Sequence, residues 1–253
     1  MKVISYNING IRAGLKKDFI SWLKAANPDV LCLQEVKANR DQVDLSGLED
    51  LGYRVYLHSA EKKGYSGVAI LCKEEPVNVT YGCGMNEYDI EGRVIRCDFS
   101  DFSVMSVYMP SGASKPERQD FKLRWLVDFR EYISEIRTAL PKLVICGDFN
   151  LCHKPIDIHN PFGLDGYPGF TQVERDWMTS FLDDGFVDTF REFNPNPNQY
   201  SWWSYRSGAR SKNLGWRIDY VLSTHNMKDH LKRSAHLTSA HHSDHCPVMT
   251  EFV

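Results

Sequence analysis

Short apolar runs that end abruptly on oxygen-bearing side chains constrain the fold of this chain more than any other feature. The clearest run is Leu143–Cys146, which is followed at once by Gly147-Asp148-Phe149-Asn150. An apolar run of about four to eight residues bounded by turn-forming residues is typical of a buried β-strand. Taken alone, the carboxylate and amide that follow fit an Asx turn that closes the strand.

The same arrangement recurs elsewhere in the chain. Ile4–Tyr6 ends in Asn7-Ile8-Asn9, Val30–Leu33 ends in Gln34-Glu35, and Ser243-Asp244-His245 precedes the last apolar segment. Ligands of open α/β sheets bind beyond the carboxyl ends of strands, so these side chains are expected to meet in one crevice. Carboxylate and amide oxygens are the ligands that Mg²⁺ or Mn²⁺ prefers, which predicts a site for such an ion.

The order of the predicted elements favours stacked mixed sheets with helices outside over a barrel of eight βα units. Strands outnumber helices and do not alternate with them regularly. No repeat or linker-like segment divides residues 1–253, so we expect a single domain. The predicted strands are Val3–Tyr6, Val30–Leu33, Gly67–Cys72, Val94–Phe99, Phe102–Met109, 143–146, Ile218–Leu222 and Pro247–Val253.

Three amphipathic helices are predicted. The first ends before Pro28, and the long second helix begins near Ser114-Lys115-Pro116-Glu117, a capping-box pattern with proline in the first turn. The third opens at a second capping box, Thr171–Glu174. The apolar faces are expected to be Phe19, Trp22, Leu23 and Ala26, then Phe121, Trp125, Phe129, Ile133 and Ile136, then Val173, Trp177 and Phe181.

Composition limits the class of protein. The net charge is −3, from 30 basic and 33 acidic residues, so any signal for nucleic acid must be local. The seven cysteines form no C-x-x-C pair, which favours free thiols in a reducing cytoplasm. We expect neither a signal peptide nor a membrane partner, because no apolar stretch has the required length.

The cluster His241–His245 admits two interpretations. Three histidines and an aspartate are zinc ligands, yet side chains alternate along an extended chain and cannot all face one ion. We therefore expect Asp244 and His245 to act and the other two histidines to be solvated. His245 needs a partner that fixes its tautomer, and Asp219 is the candidate. Asp219 fits a turn cap or a surface ion pair equally well.

A basic, aromatic segment runs from Phe193 to Ile218 and contains no Asp or Glu. Its cations suit phosphates, and its flat rings suit stacking on bases or filling the space of a lost one. The alternative, aromatic side chains packed into the core beneath a solvated loop, stays open for the tryptophans. The residues concerned are Tyr200, Trp202, Trp203, Tyr205, Arg206, Arg210, Lys212, Trp216 and Arg217.

Ordered motifs along essentially the whole chain resemble those of the exonuclease III family of apurinic/apyrimidinic (AP) endonucleases. The resemblance implies a four-layer α/β sandwich of two packed mixed β-sheets flanked by helices, the DNase I-like endonuclease/exonuclease/phosphatase fold. The motifs are Asn7–Arg12, Leu33–Lys37, Gly64–Gly67, Glu91–Val94, Tyr108–Pro110, Gly147–Asn150, Ala209–Asn213, Gly215–Tyr220 and Ser243–Pro247.

The resemblance also implies an activity. It is Mg²⁺-dependent cleavage, with Mn²⁺ as a substitute, of the phosphodiester 5′ to an abasic site in double-stranded DNA. The products carry 3′-OH and 5′-deoxyribose phosphate ends, and a monomer with 3′-phosphodiesterase, 3′-phosphatase or 3′–5′ exonuclease side activity is expected. A phosphatase or general nuclease of the same fold, a catalytically silent DNA-binding paralogue and a 3′-end-trimming enzyme are the alternatives.

By the same resemblance, each site residue has an expected role. Glu35 is the principal metal ligand, Asp148 orients or deprotonates the attacking water, and Asn150 holds it. His245, paired with Asp219, contacts the scissile phosphate beside Tyr108. The further metal ligands are Asn7, Asp148, Asn150, Asp244 and His245. The expected DNA contacts are Arg12, Lys37, Tyr65, Trp202, Trp203, Arg206, Ser207, Arg210, Lys212, Trp216, Arg217 and Ile218.

Two positions depart from some members of that family. Asn9 stands where the animal enzymes carry Asp, and one carboxylate fewer weakens a metal site. Ile4 stands where the animal enzyme carries a regulatory cysteine, so we expect no redox-regulatory role. Ser207 and the pair Trp202 and Trp216 are the expected determinants of the balance between endonuclease and 3′-end activities.

Overall fold

A computed structural model describes all 253 residues of the chain. The strands are β1 (Lys2–Asn7), β2 (Val30–Gln34), β3 (Arg54–His58), β4 (Val68–Cys72), β5 (Asn78–Tyr81), β6 (Val94–Asp98), β7 (Ser103–Tyr108), β8 (Leu143–Asp148), β9 (Phe186–Asp188), β10 (Trp202–Trp203), β11 (Gly215–Trp216), β12 (Asp219–Thr224), β13 (Leu231–His236) and β14 (Val248–Phe252). The α-helices are α1 (Ile11–Leu15), α2 (Phe19–Ala26), α3 (Ser46–Glu49), α4 (Asn86–Asp89), α5 (Pro116–Arg137), α6 (Gln172–Asp183) and α7 (Thr189–Phe193).

Two six-stranded mixed sheets form the centre of the molecule. The first sheet has the order β13-β14-β1-β2-β4-β3, and the second has the order β5-β6-β7-β8-β12-β9. A third, two-stranded ribbon of β10 and β11 lies beside them. Each large sheet has one parallel pair at its centre, β1 with β2 and β7 with β8, and the other pairs are antiparallel.

The hydrophobic core divides into layers that confirm the predicted four-layer sandwich. Between the sheets, Val3 and Ile70 of the first sheet pack with Val104 and Val144 of the second. A second cluster joins the outer face of the first sheet to α2 and α3, and a third joins the outer face of the second sheet to α5 and α6. Alternate strand residues face opposite sides, so each sheet contributes to two layers.

Two details of the predicted helices are corrected. The cap of α5 is Lys115, in extended conformation, and its side chain makes no cap hydrogen bond, so Ser114 lies outside the helix and forms no capping box. The capping box of α6 is confirmed, because Thr171 Oγ1 accepts from the Glu174 amide. Val173 was expected on the apolar face of α6 but is 60% exposed, whereas its neighbour Glu174 is fully buried.

The strand topology brings the predicted oxygen ligands to one edge of the sandwich. Asn7 pairs with Gln34 at the ends of β1 and β2. In the second sheet, Tyr108 pairs with Asp148 at the ends of β7 and β8, and Asp219 at the start of antiparallel β12 also pairs with Asp148. Helix length and hydropathy leave no helix of the chain suited to crossing a membrane.

Candidate active site

An amide at the end of β1 joins carboxylates from both sheets. Asn7 Nδ2 donates to Glu35 Oε1 at 2.9 Å and to Asp148 Oδ2 at 2.8 Å. Asn7 Oδ1 is occupied in turn by the backbone amide of Asn9, at 2.9 Å. Asn7 is fully buried, so its orientation is fixed by these bonds, and the two carboxylates are held next to each other.

Several residues that follow these strands have left-handed backbone conformations. The φ angles are 50° at Glu35, 51° at Asn150, 48° at Asn9 and 53° at Lys37. This region is uncommon for residues other than glycine, and it is most unusual for Glu and Lys. Such outliers cluster at functional sites, where the surrounding structure holds them in place. Here all four left-handed residues lie within three positions of the ends of β1, β2 and β8.

His245 is held by a buried carboxylate. Its Nδ1 lies 2.9 Å from Asp219 Oδ2, and the same oxygen accepts from Ser201 Oγ at 2.6 Å. Ser201 Oγ accepts in turn from the amides of Ile218 and Asp219. Because Asp219 occupies Nδ1, the opposite nitrogen Nε2 faces the cavity and lies 3.9 Å from Asp148 Oδ2. Ser201 is part of the site that sequence analysis missed.

Burial and neighbouring charges move the pKa values of these groups in different directions. Burial disfavours the imidazolium of His245, but Asp219 and Asp148 outweigh it and raise the pKa of His245 to about 10. Burial, reinforced by the charges of Asp219 and Glu35, raises the pKa of Asp148 to about 7. Burial opposes the charge of Glu35, yet Lys37 and Asn7 hold its pKa below the usual range. Near neutral pH the site thus combines a protonated imidazole with a carboxylate able to exchange a proton.

The donor set fits a divalent cation. Ligand atoms of Glu35, Asp148 and His245 all lie within 4.8 Å of one another. The two carboxylates are the hard oxygen ligands that Mg²⁺ or Mn²⁺ prefers, whereas the imidazole of His245, protonated near neutral pH, contributes no ligand to it. Asp244 does not belong to this group of candidate ligands. Its Oδ1 accepts a hydrogen bond from Asn9 Nδ2 at 2.8 Å, and its Oδ2 accepts one from Trp202 Nε1 at 3.0 Å.

Asn150 and Tyr108 complete the polar face. Asn150 donates its backbone N–H to Asp148 Oδ1 at 2.8 Å and its Nδ2 to Met109 O at 2.9 Å. Its own Oδ1 takes part in neither bond. The Arg93 guanidinium lies 5.0 Å from the centre of the Tyr108 ring. Burial raises the pKa of Tyr108 far above its usual range, so its hydroxyl stays protonated.

These groups line one cavity of about 260 Å³. Its lining includes Glu35, Asp148 and His245 together with the predicted aromatic and apolar wall of Trp202, Trp216 and Ile218, and the Trp202 and His245 rings lie 6.4 Å apart. The two indole rings meet edge to face at 6.1 Å. Tyr167 and Pro168, which sequence analysis did not single out, also line the cavity, and the Tyr167 ring meets Trp216 at 6.0 Å.

Two of the expected DNA contacts are corrected because their side chains are buried. Arg217 is 0% exposed and binds Asp157 and Asp188, with Nη2–Oδ2 distances of 3.1 Å and 2.7 Å. Trp203 is 5% exposed, and its Nε1 donates to Asn213. The core interpretation left open for the tryptophans therefore applies to Trp203, while Trp202 and Trp216 face the cavity.

Three more of these residues are partly occupied by protein contacts. Arg210 donates hydrogen bonds to the carbonyls of Ser243, Thr238 and Ala240, and these bonds fix the loop before His245. The Lys37 ammonium lies 2.6 Å from Glu35 Oε2 and donates to Asn9 Oδ1. The Tyr65 hydroxyl accepts from two arginines, Arg93 and Arg118.

The remaining expected contacts, Arg12, Arg206, Ser207 and Lys212, are exposed. Ser207 lies in a left-handed turn with φ of 57°. This exposure leaves their side chains accessible to a ligand at the surface.

The histidine cluster does not converge on one ion. His241 is exposed, whereas His242 is buried and its Nδ1 lies 3.2 Å from the Tyr6 hydroxyl. The expectation that His242 is solvated is therefore wrong, because it packs among the rings of Phe19 and Trp22. Only His245 of this cluster belongs to the group of candidate ligands.

Comparisons with known proteins agree with this geometry. The model of the Endonuclease/Exonuclease/phosphatase family matches residues 4–245. An exodeoxyribonuclease of Bacillus subtilis (strain 168) is 45% identical over 250 residues, 98% of each chain. The DNA repair nuclease APEX1 of Danio rerio is 43% identical over 98% of this chain and 81% of its own.

Solved structures give the same result. An AP endonuclease from Archaeoglobus fulgidus has a TM-score of 0.91 at 32% identity, covering 100% of this chain and 99% of its own. The 3′ phosphatase NExo from Neisseria, bound to a product DNA hairpin, has a TM-score of 0.92 at 30% identity, with coverage of 100% and 99%. The chain belongs to the endonuclease/exonuclease/phosphatase family, in the branch that contains the exodeoxyribonucleases and AP endonucleases.

Proposed function

We propose that this protein is a Mg²⁺-dependent AP endonuclease of base-excision repair. It hydrolyses the phosphodiester 5′ to an abasic site in double-stranded DNA and leaves 3′-OH and 5′-deoxyribose phosphate ends. One observation carries the proposal: the hydrolytic side chains and the aromatic wall face the same cavity of about 260 Å³. The names of the relatives, exodeoxyribonuclease, DNA repair nuclease and AP endonuclease, support this assignment.

The size of the cavity favours a sugar without a base. Pockets for drug-sized ligands occupy about 300–1,000 Å³, so this one suits a smaller group. Trp202 and Trp216 line it together with Asp148 and His245. An abasic nucleotide leaves the helix at little stacking cost, whereas an intact nucleotide must be unpaired and unstacked and then meets the two indole rings. Selectivity thus has both an energetic and a steric origin.

Glu35 and Asp148, with Asn7 and Asn150 beside them, are the residues that would hold Mg²⁺ or Mn²⁺, and His245, whose Nε2 carries a proton, is left to the phosphate. A bound divalent cation supplies positive charge to the phosphate oxygens as negative charge builds up in the transition state. Asp244 is proposed as an outer residue that fixes Asn9 and Trp202, since both of its oxygens are already occupied by them.

The chain's own groups supply the remaining chemistry. The imidazolium of His245, held by Asp219, donates through Nε2 to a non-bridging phosphate oxygen, an interaction that strengthens as charge develops. Asp148, held by the Asn7 side-chain amide and the Asn150 N–H, orients the attacking water and accepts its proton. Asn150 Oδ1 accepts a second hydrogen bond from that water, and the protonated Tyr108 hydroxyl faces the phosphate.

The exposed cations are proposed to bind the DNA backbone on either side of the cavity. Arg12, Arg206 and Lys212 are exposed, and together with the exposed Ser207 hydroxyl they would contact phosphates of the duplex around the lesion. Contacts of this kind are sequence-independent and weaken with salt. We propose Tyr65 and Lys37 as supports of the cavity rim, since their polar atoms already bind Arg93 and Glu35.

We further propose a monomer in a reducing cytoplasm. All seven cysteines are free, and all except Cys83 are buried. Buried thiols of this kind persist without disulfides where glutathione keeps the compartment reducing.

The test uses a duplex with one abasic site and Mg²⁺. The wild-type protein is expected to nick it, and Asp148→Asn and His245→Ala are each expected to abolish nicking. Asp101→Asn, a change in an exposed surface pair with Lys142, is the matched control and should retain full activity. Nicking that survives both site variants would contradict the assigned roles, and a wild-type protein that hydrolyses lipid or inositol phosphates instead would contradict the substrate.

A further inference from the structure

We propose that the buried ion pair of Lys122 and Glu174 is a positioning device that holds the hydrolytic strand end and the cavity wall in one fixed relation. Through it the protein sets its preference for an internal abasic site over a DNA 3′ end. The selectivity part of this inference rests on the proposed function. The positioning part concerns the molecule without substrate.

Lys122 is a charged residue inside the apolar face of α5. Its side chain is 0% exposed, as is that of Glu174 on α6. The ammonium donates to Glu174 Oε1 and, at 2.7 Å, to the backbone oxygen of Asn150. A buried ammonium must keep such partners, because losing one leaves a charge without water or a hydrogen bond. The Asn150 carbonyl is thereby fixed from behind the site.

Asn150 is held at three of its polar groups, and one of them controls Asp148. Its carbonyl accepts from Lys122, its Nδ2 donates to Met109 O, and its N–H donates to Asp148 Oδ1. The left-handed φ of 51° is an uncommon conformation that these bonds maintain. A shift of the Asn150 backbone therefore moves both the Asp148 carboxylate and the free Asn150 Oδ1.

The other oxygen of Glu174 fixes the opposite wall. Glu174 Oε2 accepts from the Gly169 amide at 2.8 Å, and from Thr171 N and Oγ1 at 3.0 Å and 2.7 Å. Gly169 follows directly after Pro168, which lines the cavity. A Cβ at Gly169 would lie 3.0 Å from both Asn150 O and a ring carbon of Trp216, so the hydrolytic turn and the wall touch here.

Docking of α5 on α6 alone would not require Lys122 and Glu174. Arg130 and Asp184 already join α5 to the end of α6, with Nε–Oδ2 at 2.6 Å. Two well-packed apolar side chains in place of a buried ion pair often dock helices equally well. The feature that apolar side chains cannot supply is a set of directional bonds to Asn150 O and Gly169 N.

The kinetic test compares two substrates, an abasic duplex and a duplex with a 3′-phosphate at a nick. For Lys122→Met we expect the ratio of kcat/KM on the abasic duplex to kcat/KM on the 3′-phosphate to fall about tenfold or more, mostly through kcat. The internal abasic site must meet the hydrolytic turn and the cavity wall at once, whereas a terminal phosphate needs the turn alone, and small displacements of reacting groups cost up to about a hundredfold. Arg130→Met, which loosens the same helix pair at its far end, should leave the ratio unchanged.

Two further variants separate positioning from stability. In Lys122→Met/Glu174→Met no charge is buried alone, so we expect the unfolding midpoint to rise above that of Lys122→Met while the kcat/KM ratio stays low. If the double variant recovered the wild-type kcat/KM ratio together with its unfolding midpoint, the proposal would be overturned. If Lys122→Met does not fold, Lys122→Gln takes its place, and an unchanged ratio in that folded variant would also overturn the proposal.

Hydrogen exchange tests the positioning without any substrate. In Glu174→Gln we expect the Asn150 amide to exchange about tenfold faster relative to the Phe149 amide, which donates to Ile218 O and serves as the internal control. Equal increases in the exchange rates of both amides would contradict a specific restraint on the Asn150 backbone. If the wild-type protein fails to nick abasic DNA, the proposed function fails, yet this exchange ratio still decides the positioning.

Discussion

His245 and Asp219 illustrate how single residues set the chemistry of this site. Burial alone would keep the imidazole neutral, and the pKa of about 10 results from the carboxylates that surround it. The Asp219 carboxylate is itself satisfied by the Ser201 hydroxyl and by the imidazole. One buried carboxylate thus fixes both the orientation and the charge of the group that we propose to contact the phosphate.

Asp219→Asn should remove that charge and reduce kcat by about a hundredfold or more, as loss of the carboxylate does in other His–Asp pairs. The sign follows from the raised pKa: the wild-type protein keeps the imidazolium until the pH approaches about 10. In the variant the pKa falls, so activity is lost at lower pH as the pH rises. A pH–rate profile checks this, with the exposed Asp229→Asn as control, and an unshifted alkaline limb would contradict it.

At the scale of secondary-structure elements, a buried ion network fixes the start of β12. Arg217 lies between Asp157 and Asp188, and Asp157 also binds Arg191 of α7. The network joins the turn at 155–157, the end of β9 and the residues that precede Asp219. Because Ile218 and Asp219 follow directly, Arg217 affects the site through the backbone.

Arg217→Met should destabilise the protein by about 3–5 kcal/mol, because Asp188 loses its charged partner and the buried Asp157 keeps only Arg191. Chemical denaturation measures this loss, provided that the unfolding free energy depends on denaturant concentration with the same slope in both proteins. The surface variant Arg233→Met, which breaks an exposed pair with Glu251, is the control and should have a much smaller effect. A loss of DNA binding by Arg217→Met without any loss of stability would contradict the buried role.

Acid should weaken the same network. Burial opposes the charge of Asp157, but Arg217 and Arg191 outweigh it and lower its pKa to about 2. A carboxylate whose pKa is lower in the folded state stabilises that state at pH values above its unfolded-state pKa of about 3.9. This stabilisation is lost as the pH falls towards 2. Unfolding free energies between pH 5 and pH 2 should therefore fall more steeply for the wild-type protein than for Asp157→Asn. Parallel curves would contradict this assignment.

At the level of the whole molecule, the site lies where the two large sheets meet. Asn7 and Glu35 belong to the first sheet and its turns, while Asp148 closes a strand of the second. A cation held by Glu35 and Asp148 would link the sheets, and a ligand that binds only the folded state stabilises it, by about 2.7 kcal/mol at a hundredfold excess over Kd.

Mn²⁺ or Mg²⁺ should therefore raise the melting temperature of the wild-type protein in a concentration-dependent manner. Glu35→Gln removes a carboxylate ligand and should abolish most of the increase. Glu49→Gln, a change in an exposed surface pair, should leave the increase intact. An equal rise in the Glu35→Gln variant would place the cation elsewhere.

The sequence predicts the centre of the molecule better than its borders. The central strands have continuous apolar runs, and the oxygen ligands at their ends follow from that pattern. The four edge strands β3, β5, β9 and β13 were missed, because half-exposed or very short strands have no clear alternation. Burial of Arg217 depends on Asp157 and Asp188, which are distant in sequence.

Lys122 shows a signal that was present but unused. It lies three, four and seven residues before Trp125, Leu126 and Phe129, all of which are buried on the same face of α5. A lysine within such a stripe indicates a buried ion pair, although the identity of its partner needs the structure. Ser201 gives no comparable signal, because its role depends on the fold of the loop around it.

The most direct test of the central claim is end-group analysis after one turnover on a duplex with a single abasic site, in Mg²⁺. We expect one cut, immediately 5′ to the lesion, that leaves 3′-OH and 5′-deoxyribose phosphate ends, with the matched undamaged duplex left intact. A cut on the 3′ side of the lesion, or cleavage of both duplexes at equal rates, would contradict it.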